Sequence, residues 1–381
     1  MSEYPYEAAI SPYSKRVEQL IAQFRRQAAQ GSFSAGQLVV RHGGRVLINL
    51  ALGEGRSLVG ETRISVRPET LFPVYSEGKP MAALCIALLQ QRGMVDLNSP
   101  VAVYLPKFGQ AGKAAVTVDD VLSLRGGVVI PELWQGVKEG RDESWYWKQI
   151  CAAAPRYLRG TFAYMPGEYG WILNRLVQRL DGRPLDQFFR EELQQPLGLS
   201  EMHYGLAERD PAEVILHRWL GKPEEWVAGA NAADYFEDAQ TTFSLFKTRN
   251  PAISMVSNAA SLAAFYECLV MRGKTASGQS LIEEQLLTAY TGRQVAGWNR
   301  SIKTCMAMGR GFMVGTLTPS SFGWWNSGRC FGHAGVFSVL AFADANSGVS
   351  AAIVTNGNCS VSDFFRRFIL MAQKIRSLGS E

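Results

Sequence analysis

Apolar residues recur at helical spacing from Pro12 to Ala29, where Val17, Leu20, Ile21 and Phe24 share one face and the run stops before Gly31. The pattern predicts an amphipathic helix. Two short apolar segments follow, Ala35 to Arg41 and Arg45 to Leu52, split by His42-Gly43-Gly44, which reads as a β-hairpin with His42 in its turn. The run Met81 to Leu89 has no polar face at all, and a helix apolar all round is enclosed on every side. Gly93 to Pro100 and Tyr104-Leu105-Pro106 carry turn and short-helix signals, and Thr117 to Leu122 looks like a capped helix start closed by Gly126-Gly127. From Pro131 to about Phe246 the chain is rich in Trp, Tyr and helix formers, with Tyr169 to Leu180 and Leu185 to Leu197 its clearest helices. Strand-like segments return at Cys330 to Ala343 and Val349 to Asn356, around the turn Asp344-Ala345-Asn346-Ser347-Gly348, and Ser362 to Ile375 is a terminal helix. No internal repeat is visible.

This order predicts an α+β fold in which strands from both chain ends meet in one antiparallel sheet flanked by the N- and C-terminal helices. A mostly helical domain, residues 80–249, is inserted between the two parts of the sheet domain, residues 1–79 and 250–381, and the active site is expected at their interface.

With 381 residues, 47% hydrophobic and 19% charged, the chain has ample material for a core. The net charge of +5 is scattered rather than run together, which argues against a nucleic-acid partner. Six cysteines lie far apart without a Cys-x-x-Cys pair and read as reduced thiols of a cytoplasmic protein. Met1 to Glu7 lack the marks of an export signal, and no apolar run reaches membrane-span length. The four histidines, His42, His203, His217 and His333, show no ligand spacing, so neither metal nor cofactor is expected.

The chemistry concentrates in Leu71-Phe72-Pro73-Val74-Tyr75-Ser76-Glu77-Gly78-Lys79, just ahead of the buried helix. Ser76 and Lys79 are three residues apart, on one face of a helical turn. A serine becomes a useful nucleophile when a base lies within hydrogen-bond reach, and burial lowers a lysine pKa enough for its amine to serve as that base. Free backbone N–H groups at the helix start favour an oxyanion. A serine before a helix is more often simply a cap.

Two further segments carry candidates. Tyr164 stands in Gly160-Thr161-Phe162-Ala163-Tyr164-Met165-Pro166, where a tyrosine beside a serine–lysine pair can relay a proton if positive charge lowers its pKa. Phe331-Gly332-His333-Ala334-Gly335-Val336 opens the penultimate strand; Gly335 permits close backbone approach to a ligand, and the N–H of Val336 is a candidate second oxyanion donor.

Together, Ser76-Glu77-Gly78-Lys79, Tyr164-Met165-Pro166 and His333-Ala334-Gly335 resemble the serine β-lactamase and penicillin-binding-protein superfamily, in the branch of class C β-lactamases, family VIII carboxylesterases and related acyltransferases. The likeness extends through Thr70 to Val74, Arg92 to Leu97, Thr117 to Leu122 and Gln195 to Leu199, from about Ser34 to Asn356. The resemblance implies a β-lactamase-like fold. It also implies Ser76 as nucleophile, Lys79 as its base, Tyr164 as proton relay, and an oxyanion hole from the backbone N–H groups of Ser76 and Val336. His333, Ala334 and Gly335 would contact substrate, with His333 where β-lactamases carry the lysine of Lys-Thr-Gly. The amide of the usual Tyr-x-Asn motif is replaced by Pro166, and the histidine of a Leu-Leu-Ser-His stretch by Leu124.

A mostly neutral histidine in place of lysine suits uncharged esters better than carboxylate-bearing substrates. The expected function is therefore a carboxylesterase acting on small to medium acyl esters through an acyl-Ser76 intermediate. Trp171, with Trp134, Trp145, Tyr146 and Trp147, is expected to wall an apolar pocket. An acyltransferase sharing the acyl-enzyme, a weak β-lactamase or D-amino-acid amidase, and a retired binding protein are the alternatives. Gly273-Lys274-Thr275 is neither a P-loop nor a Lys-Thr-Gly strand, because Cys268 and Ala276 stand where glycines are needed, and no Gly-x-Ser-x-Gly elbow occurs.

Overall fold

A computed structural model describes residues 3–4, 14–206, 209–222, 226–227, 230–231, 238–275, 278–326, 328–336 and 338–379. Pro12, Ala276 and most of the N-terminal stretch read for an export signal lie outside the described residues. Helix α1 (Ser14–Ala29) precedes the hairpin β1 (Ala35–His42) and β2 (Arg45–Arg56), and β3 (Phe72–Tyr75) leads into the central helix α2 (Gly78–Gln91). The following block is largely helical, with α3 (Glu143–Ala152) and α4 (Glu168–Asp181) packed behind the site. Strands β4 (Met202–Tyr204) and β5 (Met255–Ser257) form a small sheet with β3, in the order β3-β5-β4, and α5 (Ala259–Val270) and α6 (Glu284–Thr291) follow.

The C-terminal part supplies β6 (Val295–Asn299), β7 (Thr304–Met308), β8 (Met313–Val314), β9 (Cys330–Gly335), β10 (Val339–Asp344), β11 (Val349–Thr355) and helix α7 (Val361–Arg376). The main sheet runs β2-β1-β11-β10-β9-β8-β7-β6, every pair antiparallel, with Glu3–Tyr4 and Arg63–Ser65 added along β2. Strands from both chain ends thus meet at the β1–β11 pair, where Ala351 lies opposite Val40.

Both faces of this sheet are covered. Leu38, Val40, Leu340 and Ile353 pack with Phe24 of α1 and Phe368 of α7, whereas Val39, Ala341, Ala352 and Val354 point into the core built on α2 and α5. Burial on both faces is why β11 is mostly apolar at consecutive positions, Ala351 to Val354, instead of alternating. Helix α2 is buried from Gly78 to Leu89, and Gly78 is the close-packing point. A Cβ there would lie 2.4 Å from the Pro251 carbonyl oxygen.

The structure corrects two strand expectations. Cys330 to Ala343 is a hairpin of two strands, because the chain turns at residues 335–338, where the Ser338 N–H donates to the Gly335 carbonyl at 3.0 Å. His333 accordingly stands near the end of β9 and not at the start of the penultimate strand. Strands β6 to β8 add an edge that the apolar pattern does not predict. Gly273-Lys274-Thr275 forms a turn after α5 whose bridge runs from Lys274 to Ser280, away from the main sheet. No described helix is long and apolar enough to cross a membrane.

Candidate active site

The site begins with a kink. Tyr75, the last residue of β3, has φ +48°, a left-handed conformation that a bulky side chain adopts only when its surroundings impose it. Its buried ring lies edge-on to His217, with centroids 5.2 Å apart, and against Phe246. The kink hands the chain directly to Ser76, at the head of α2. Glu77 anchors this turn from beneath: its fully buried carboxyl accepts from the Ala341 N–H at 2.9 Å and from the Tyr266 hydroxyl at 3.0 Å, joining it to β10 and α5. Burial pushes the Glu77 acid well above the usual carboxylate range.

Lys79 has no exposed surface. Its Nζ lies 2.9 Å from the carbonyl oxygens of both Pro166 and Ala252, and 3.3 Å from Ser76 Oγ. A second buried lysine makes the comparison: Lys113 Nζ meets three carbonyls, those of Gln110, Cys151 and Ala153, matching the three hydrogens of an ammonium. Lys79 has two carbonyls and a hydroxyl, the set that a neutral amine satisfies with two N–H donors and one lone pair turned to Ser76. Desolvation drives its pKa well below the ordinary lysine value, partly opposed by the charge of Glu168.

Tyr164 completes the arrangement. Its hydroxyl donates to Ser76 Oγ at 3.0 Å, and Lys79 Nζ lies 4.6 Å from its ring centroid. The expectation of a lowered phenol pKa is corrected, because burial raises it above its ordinary value. The phenol is thereby kept as a hydrogen-bond donor to Ser76 Oγ. Asn299, at the end of β6, accepts the Tyr164 N–H at 3.0 Å, and Ser301 Oγ donates to the Tyr164 carbonyl at 2.8 Å, so an edge strand fixes the tyrosine.

Around Ser76 and Tyr164 opens a cavity of about 340 Å³. Met306, Met313, Phe322, Phe364 and Phe365 supply apolar walls, with His333, Ala334 and Val336 lining it together with Ser76, and among the described residues no Lys, Arg, Asp or Glu lines it. His333 is buried against the Ala334 backbone, and desolvation with the nearby Lys79 lowers its pKa to about 3. It is neutral at physiological pH, and its Nε2 has no hydrogen-bond partner among the described residues.

Two candidate contacts fall elsewhere. Gly335 does not line the cavity; a Cβ on it would lie 2.2 Å from the Val74 carbonyl oxygen, so the backbone it lets approach is that of β3. Trp171 is buried in α4 and stacks on Tyr146 at 5.3 Å. Trp134, Trp145 and Trp147 also lie outside the cavity lining and pack within or against the core. The real walls come from β6 to β8, the loop of residues 316–322 and α7. Glu77, Glu168 and Asn299 complete the surroundings; of these only Glu77 lies inside a segment that drew attention, Ser76-Glu77-Gly78-Lys79.

The beta-lactamase family model matches residues 17–375. The chain belongs to the beta-lactamase family. Within it, the esterase/beta-lactamase LipL of Mycobacterium tuberculosis is 29% identical over 312 residues, covering 74% of this chain and 68% of LipL. Among solved structures, a penicillin-binding-protein homologue from Caulobacter crescentus superimposes with a TM-score of 0.79 at 26% identity, covering 98% of this chain and 100% of that one. EstA from Arthrobacter nitroguajacolicus gives 0.78 at 24% identity with 99% of each chain covered. This beta-lactamase-like fold, its large antiparallel sheet flanked by helices, agrees with the expected class.

Proposed function

We propose that the chain is a serine carboxylesterase that hydrolyses small to medium neutral acyl esters through an acyl-Ser76 intermediate. The observation that carries this reading is the contact set Tyr164–Ser76–Lys79, at 3.0 and 3.3 Å, at the edge of a cavity without a charged lining residue. Lys79, as the neutral amine, takes the proton as Ser76 Oγ attacks the acyl carbon. The backbone N–H groups of Ser76 and Val336, both bordering the cavity, receive the oxyanion. As the tetrahedral adduct collapses, the proton passes through the Tyr164 hydroxyl to the leaving alkoxide. Water then enters by the reverse route and releases the acid. Relatives bearing esterase names support this reading.

Among the described residues the uncharged lining and neutral His333 give a substrate carboxylate no positive charge to pair with, so β-lactams and D-alanyl peptides are disfavoured. The test compares a neutral butyrate ester with the matching hemisuccinate, and with nitrocefin, for wild type and Ser76→Ala. The reading expects Ser76-dependent hydrolysis of the neutral ester and about tenfold or greater discrimination against the anionic one. Efficient opening of nitrocefin, or full activity in Ser76→Ala, would overturn it.

A further inference from the structure

The mechanism leaves one buried ionisable group beside Lys79 without a task. Glu168 is the first residue of α4, has no exposed surface, and lies two positions after Pro166, whose carbonyl grips the Lys79 amine. Its Oε1 accepts the Ile130 N–H at 2.9 Å and its Oε2 the Gly167 N–H at 3.2 Å. No lysine or arginine forms an ion pair with it among the described residues, and it does not line the cavity. An acid in the first turn of a helix ordinarily sits at the surface. A carboxyl buried among backbone donors without a cation costs stability unless something offsets it.

The groups facing the pair are few. Tyr164 and Tyr169 present their rings to Lys79 at 4.6 and 5.8 Å, and His333 of β9 adds to its surroundings. Glu77 is turned away toward Ala341 and Tyr266. One peptide unit links the two groups: its Pro166 carbonyl accepts from the Lys79 amine at 2.9 Å and its Gly167 N–H donates to Glu168 Oε2 at 3.2 Å.

We propose that Glu168 is a positioning residue for the amine's charge: its carboxylate stabilises the ammonium that forms on Lys79 when the amine takes the Ser76 proton, and so sets the pH range in which Ser76 is activated. This rests on the acyl-Ser76 reading. In the step concerned the Ser76 O–H bond breaks, its proton moves to the Lys79 lone pair, the Oγ–C bond forms, and the carbonyl π pair becomes the oxyanion. Glu168 exchanges no atom with the substrate and supplies only the compensating negative charge. Burial lifts its acid to about 7, which places the appearance of that charge in the neutral range.

The experiment measures kcat and KM for p-nitrophenyl butyrate from pH 5 to 10, and in parallel the rate at which a fluorophosphonate labels Ser76, in wild type, Glu168→Gln and Glu168→Asp. Without the carboxylate, Lys79 is a weaker base. The acid limb of both profiles moves to lower pH by about one unit in Glu168→Gln while the plateau kcat falls about tenfold at unchanged KM. Glu168→Asp keeps its limb close to that of wild type. If the glutamine variant folds poorly, Glu168→Leu reads the same limb. An unmoved limb with an unchanged plateau, or an effect on KM alone, overturns the proposal. Wild type lacking any Ser76-dependent esterase activity or labelling would instead defeat the esterase reading itself.

Discussion

Lys79 directs its third bonding position at Ser76 Oγ, 3.3 Å away, while the carbonyls of Pro166 and Ala252 occupy the other two. Replacing the amine by a methionine of similar length removes the base and leaves the carbonyls of Pro166 and Ala252 facing a thioether. Lys79→Met is expected to lose about 10²- to 10⁴-fold in kcat. Its melting temperature should stay within a few degrees of wild type, because the desolvation of the amine disappears along with its bonds to two carbonyls. Retained turnover would show that Lys79 is not the base.

Tyr164→Phe isolates the hydroxyl. The ring that faces Lys79 at 4.6 Å is kept, whereas the donor to Ser76 Oγ is lost. The account predicts a fall in kcat of about 10²-fold with little change in KM. Because burial raises the phenol pKa, the wild-type profile should show no alkaline limb from Tyr164 below about pH 10. A limb near neutrality that vanishes in the phenylalanine variant would contradict this.

Gly335 tests the oxyanion hole from behind. A Cβ at this position would stand 2.2 Å from the Val74 carbonyl oxygen, so Gly335→Ala must push the end of β9 away from β3 and carry the Val336 N–H with it. The expected loss in kcat is about 10²-fold, the scale of one oxyanion donor. Thermal melts run alongside distinguish this from unfolding, and an unaltered kcat in a folded variant would remove Val336 from the hole.

His217 predicts how the protein responds to acid. It is buried between Tyr75 and Ser338, and burial lowers its pKa to about 3. The unfolded chain binds a proton near pH 6.5 while the folded chain does not, so stability is full above that pH and is lost as pH falls toward 3. From pH 7.5 to 5 this residue contributes a loss of about 2 kcal/mol. Urea unfolding of wild type and His217→Asn at the two pH values checks it. The variant should lose less on acidification, and equal losses would contradict the assignment.

The parts of the site legible in the sequence are those fixed locally. Ser76 and Lys79 are three positions apart in one turn, so their contact follows from helix geometry, and the unbroken apolar run after them announces a buried lysine. Tyr164 and His333 were legible only through their motifs, since nothing local says that they converge. The cavity walls were not legible. Strands β6 to β8 are short, Gly297 sits inside the exposed β6, and Met313–Val314 is too brief to show a period. Trp171 misled because burial in a core and exposure in a pocket call for the same residue type. Glu168 was invisible for a related reason: an acid at the start of a helix is ordinary, and only the packing of α4 against α2 turns it into a buried charge.

The central claim is a covalent acyl group on Ser76, and the most direct test is intact-protein mass after rapid acid quench during turnover of p-nitrophenyl butyrate. Wild type should show the increment of one butyryl group, mapped by peptide analysis to Ser76 and decaying at the rate of turnover, with none in Ser76→Ala. Turnover without any adduct, or an adduct on another residue, would contradict the account.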